Sequence, residues 1–192
     1  MRLVLFSQAL IGFTIFGGVY TVLLNLYLLR LGYNLLLIGQ INAVGALSFA
    51  LFSKPAGLLG DRWSSRLTMI VGMLLSALGF GLLPLGKFVP PASQTTYIMS
   101  TYVLGNALFL CNAIPFLTLI SPPQRNHVFS TQVALWPLAG FAGSLCGGLL
   151  PGVFSSLLDL PNSDPAPYRY PLLLSAAVLL VSAAAIAATH PQ

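Results

Sequence analysis

Thr14, Gly18, Thr21 and Asn25 recur at steps of four, three and four, and Thr101, Gly105, Leu108 and Asn112 repeat the same steps later in the chain. Such spacing puts each set on one face of a helix. Asn42, Gly45, Phe49 and Ser53 make a third face, with Gln40, Ser48 and Gln132 as weaker candidates. The chemistry open to these residues is that of amides and hydroxyls, which donate and accept hydrogen bonds but move no protons near neutral pH. The carboxylates Asp61, Asp159 and Asp164 fall in or beside turn-rich segments, so a proton relay inside an apolar environment is not expected from this chain. Cys111 and Cys146 lie in apolar runs without CxxC spacing and read as small packing residues. His127 and His190 read as solvated edge residues. No metal site, cofactor or enzymatic centre is expected, because no apolar run carries a His or Asp cluster and neither Cys has a base nearby.

The elements that carry these faces must live in lipid. The 192 residues are 57% hydrophobic and 6% charged, where a soluble domain carries roughly a quarter charged residues. Charges and turn formers divide the chain into apolar runs at 3–29, 35–59, 67–86, 97–120, 128–158 and 171–189. A helix crosses the hydrocarbon core with about 20 apolar residues, so the expectation is an all-α integral membrane protein of about six transmembrane helices in one domain, residues 1–192. The amino-terminal run resembles a signal sequence in its first residues, but it continues to Leu29 without a small-residue cleavage site and is kept as the first span. The fifth run contains Pro137 and Pro151 and is expected to be tilted or kinked. The third and sixth runs, nearly free of polar residues, are expected at the lipid-facing rim.

Two matching polar faces three spans apart are what an internal three-plus-three repeat would leave behind. For Thr14, Thr21, Asn25, Asn42, Thr101 and Asn112 two readings stay open: lining of a wet cavity, or hydrogen-bonding glue between close helices. The net charge of +5 does not imply nucleic acid, because the eight basic residues are scattered singly. With the amino terminus inside, Arg2, Lys54, Arg62, Arg66 and Arg125 face the cytoplasm, and Arg30, Lys87 and Arg169 lie outside with Asp159 and Asp164. That bias places both termini in the cytoplasm and the chain in a plasma (inner) membrane, with the lipid bilayer as its first partner. Lys54, just before Pro55, either snorkels to the interface or offers a cation to an anionic guest.

Between the second and third spans, Gly57-Leu58-Leu59-Gly60-Asp61-Arg62-Trp63-Ser64-Ser65-Arg66 resembles the cytoplasmic loop signature of the major facilitator superfamily, with Ser64 where a second Gly is usual and Ser65 in place of a basic residue. Gly140, Gly143, Gly147 and Gly148 are similar to the glycine-rich fifth-helix motif of its antiporter branches, with Ser144 where Pro is usual; on plain physics they are helix-packing glycines. The arginine common in the fourth span of proton-coupled drug exporters is absent. The resemblance implies the amino-terminal half bundle of a two-half secondary transporter that rocks around a central site. It further implies that Gly57, Asp61, Arg62 and Arg66 form a cytoplasmic gate and that the first and fourth spans line the cavity. One six-span unit has a cavity face to cover, so a second six-helix half or a homodimer is expected, the chain being truncated, split or self-dimerising. The alternative is a non-transporting membrane subunit or remnant that packs on another membrane protein. Substrate, coupling ion and direction are not legible.

Overall fold

The computed structural model describes residues 2–107, 125–161 and 163–189, and its elements there are all helical. They are α1 (Arg2–Thr14), α2 (Val19–Arg30), α3 (Leu35–Trp63), α4 (Ser65–Leu82), a 3-10 helix (Leu83–Phe88), α5 (Pro91–Ala107), α6 (Arg125–Leu158) and α7 (Ala166–Ala187). Five stretches among the described residues are long and apolar enough to cross a membrane: Arg2–Arg30, Leu35–Trp63, Ser65–Phe88, Asn126–Leu158 and Ala166–Ala187. α5 is the described part of the fourth apolar run, which brings the architecture to about six spans.

The first span is one apolar run but two helices. α1 stops at Thr14 and α2 starts at Val19, with Gly17 at φ +73°, a left-handed conformation that glycine adopts without a Cβ clash. Local side chains tie the break together. The Thr14 hydroxyl donates to the Leu10 carbonyl at 2.6 Å, and the Thr21 hydroxyl donates across the break to the Ile15 carbonyl. α3 begins at an Asn34 cap, whose side chain accepts from the Leu37 N–H at 2.8 Å, and continues through Pro55 to Trp63. Gly57, Asp61 and Arg62 therefore belong to the last turns of a helix rather than to a loop. The turn shrinks to Ser64, which caps α4 by accepting from the Leu67 N–H. α6 absorbs Pro137 and Pro151 without a break in its assignment, and α7 begins before Pro171, at Ala166.

The packing orders the spans by how much of each lies inside this bundle. α4 and α7 meet each other extensively, and 56% of the most apolar stretch of Ser65–Phe88 lies inside the bundle, against 44% for the first span and for α7, 22% for α3 and 17% for α6. Lipid is as apolar as leucine, so lack of polarity cannot say which helix lies inside; small residues that allow close approach decide it. Gly72, Ser76 and Gly81 on α4, the last of them against Ala176, and Ser175, Ser182 and Ala183 on α7 are the small residues available to such an approach. Leu74, Leu78, Leu174, Leu180 and Val181 keep the opposite faces of both helices exposed.

The contacts also carry the repeat. α5 packs on α3 and α4, α1 packs on α6 and α7, and α4 and α7 meet each other. Exchanging the first three spans for the last three maps this pattern onto itself, as two equivalent three-helix units require.

Candidate functional site

The polar centre lies between α2, α3 and α5. The Asn42 side-chain amide donates to the Asn25 side-chain carbonyl at 2.8 Å and to the Ile38 backbone carbonyl at 2.9 Å. The Tyr102 hydroxyl approaches Asn42 Oδ1 at 3.5 Å, a long contact, and Asn106 donates to the Tyr102 carbonyl at 2.8 Å. α3 admits the tyrosine because Gly45, one turn beyond Asn42, leaves room: a Cβ there would strike the Tyr102 ring. Asn25, Asn42 and Tyr102 are all half-buried. In that pair Asn25 is the acceptor, and its amide nitrogen donates to no group among the described residues.

The expected candidates divide. Asn25 and Asn42 come together. Thr14 and Thr101 are buried elsewhere, and each bonds backward within its own helix, Thr101 to the Tyr97 and Ile98 carbonyls at 2.9 and 3.1 Å. The neighbouring Gly105 packs under the Phe80 ring, and Gly79 abuts the Thr101 carbonyl. Thr14, Thr101 and Gly105 thus pack inside the bundle, and the Asn end of the first face reaches the polar centre. Thr21 is exposed and serves the helix break. Asn112 and Cys111 lie outside the described residues. Cys146, expected to pack, is exposed.

The glycines of α6 grip the break in the first span. A Cβ on Gly140 would overlap the Phe16 carbonyl, one on Gly143 would overlap the Phe13 carbonyl, and Gly147 lies against Val19. Gly148 faces open space. Phe16 stacks on Trp136 at 4.2 Å, and Gly12 sits under the Trp136 carbonyl. One turn earlier, the buried Gln8 side-chain oxygen accepts from Gln132 at 3.0 Å and from the Trp136 indole at 3.1 Å, while its own amide nitrogen is buried without a partner. No periodic signal points to Gln8 or Tyr102, because each is defined by a partner far away in sequence.

At the end of the bundle that holds both termini, the signature residues are not assembled into one network. Asp61 and Arg62 are exposed, as is Lys54, and a Cβ on Gly57 would meet open space among the described residues. Arg66 reaches across to donate to the Ala187 carbonyl, placing a cation on the last turn of α7, where the helix dipole favours it.

A family model described as Major Facilitator Superfamily matches residues 3–191. No curated protein and no solved structure matches the chain. The match covers nearly the whole sequence, and it agrees with an all-helical architecture of about six spans. The chain belongs to the Major Facilitator Superfamily.

Proposed function

We propose that this chain is one six-helix half of a secondary active transporter that carries a small, uncharged polar solute by alternating access. The observation that carries this reading is the Asn25–Asn42 amide pair with Tyr102 beside it, a patch of hydrogen-bonding groups held within three apolar spans. Polar side chains in spans are costly unless they serve a cavity or a partner, and the free donor of Asn25 suits a solute oxygen. No charged side chain takes part in the patch among the described residues, which favours a neutral guest.

α3 and α6 are the least buried spans, and their open faces suit a second six-helix bundle, either from a longer polypeptide or from a second copy. In the state closed at the terminal end, Asp61 and Arg62 would pair with that bundle while Arg66 holds α4 to α7. Basic residues gather at the terminal end, which supports a cytoplasmic placement of both termini in the inner membrane.

The test is uptake of a panel of labelled neutral solutes into vesicles containing the chain and any bundle that co-purifies with it. Asn25→Leu and Asn42→Leu are expected to reduce uptake by about tenfold or more, the loss of one or two hydrogen bonds to the solute, with the yield of folded protein nearly unchanged. Parallel loss of folded protein and uptake would make the amide pair packing glue and favour a non-transporting subunit.

A further inference from the structure

The cations that do not gather at the terminal end converge on one patch at the other end of the bundle. Arg30 closes α2, Lys87 stands at the end of the 3-10 helix, and Arg169 sits in the first turns of α7. The Arg30 guanidinium lies 5.7 Å over the Tyr168 ring, and Arg169 lies 5.1 Å over Phe88, the same ring that Lys87 approaches at 5.5 Å. Arg169 is half-buried and also lies 5.2 Å over the Tyr170 ring; among the described residues its enclosed Nε and Nη1 have no hydrogen-bond partner, and Nη2 has a 3.5 Å contact to the Tyr170 hydroxyl. Among the described residues none of the three cations forms an ion pair. Asp164, the nearest acid in sequence, uses an oxygen to cap the Ala166 N–H at 2.7 Å.

This arrangement is unfavourable as it stands. A guanidinium near the amino-terminal turn of a helix meets the positive end of the helix dipole. Enclosed N–H groups without acceptors cost free energy, and two neighbouring cations add repulsion. An anion with several acceptor oxygens would remove all three costs at once, and a phosphate group matches the planar fork of an arginine. The depth fits a lipid. Phe88, 68% exposed, and the half-buried Tyr170 ring supply aromatic surface of the kind found at the interface between headgroups and acyl chains. We propose that Arg169, with Arg30 and Lys87, binds the phosphate of an anionic lipid headgroup at the end of the bundle remote from the termini. The site is independent of the polar centre and of any substrate.

The experiment is thermal unfolding of the full chain in neutral detergent, followed by tryptophan fluorescence, with short-chain phosphatidylglycerol, short-chain phosphatidylcholine or inorganic phosphate titrated in. Phosphatidylglycerol is expected to raise the unfolding temperature by several degrees and phosphatidylcholine to do so far less. Arg169→Gln should weaken the half-saturating concentration about tenfold, the loss of charge-assisted hydrogen bonds. Should Arg169→Gln fail to fold, the exposed pair Arg30→Gln with Lys87→Gln is expected to weaken it severalfold while leaving lipid-free unfolding unchanged. An equal response to inorganic phosphate upholds the anion site and assigns its source to a solute. An equal response to phosphatidylcholine, or an undiminished response of the foldable variants, overturns the proposal.

Discussion

Ser64 occupies the position where a glycine is usual in the family signature, and its backbone shows why glycine is usual: φ is +148°, a region that side chains rarely enter. Strain of this kind costs about 1–3 kcal/mol, while the Ser64 cap on α4 returns only part of it. Ser64→Gly is therefore expected to be at least as stable as the parent, by up to about 1 kcal/mol, and Ser64→Val to be clearly less stable. Thermal unfolding in detergent compares the three. Gln8 makes the opposite case, a residue whose value lies in what it satisfies. Its oxygen takes both the Gln132 amide and the Trp136 indole, so Gln8→Leu should cost about 1–3 kcal/mol by leaving those donors buried without an acceptor. In a double-mutant cycle, Trp136→Phe should lower that cost, because one of the stranded donors is then gone. Additive losses would show that the hydrogen bond contributes nothing. At this scale the sequence was informative only where spacing is local. Asn25 was legible from its helical face, whereas its pairing with Asn42 and the approach of Tyr102 depend on how three separate helices cross.

Among the elements, the junction of the broken first span with α6 makes the clearest demand on sequence. The spacing of Gly140, Gly143 and Gly147 was enough to expect close packing, and the structure supplies the surface they pack on, the Phe13–Val19 backbone around the break. Nothing in the run Leu3–Leu29 announced that break, because Gly17 and Gly18 in an apolar helix read equally well as packing glycines. Gly143→Ala places a methyl against a backbone carbonyl that cannot turn aside, and should cost about 2–3 kcal/mol through displacement of α6. Gly148→Ala, facing open space, should be neutral or slightly stabilising through improved helix propensity. If the two alanines behave alike when unfolding is followed in detergent, the close approach of α6 to the first span is not what holds this seam. The contact between the third and sixth spans belongs here too. Polarity sorts helices in water, but in lipid the sorting variable is size, and the small residues of α4 and α7 were visible without being decisive.

For the whole molecule, span number and fold class follow from hydrophobic length, which lipid enforces directly. What covers α3 and α6 is set by a surface outside the bundle, so no pattern within the chain names it. If a second copy covers them with both copies oriented alike, a two-fold axis along the membrane normal places α3 of one copy beside α6 of the other. Leu47, 57% exposed on α3, and the exposed Cys146 on α6 lie at matching depth, each about 18 Å from the end of its helix remote from the termini at about 1.5 Å per residue. Leu47→Cys is therefore expected to give an oxidatively cross-linked dimer in native membranes, and adding Cys146→Ser should abolish it. Both cysteines reacting with a maleimide while no cross-link forms would exclude the second copy from this face and leave a bundle of different sequence as the occupant.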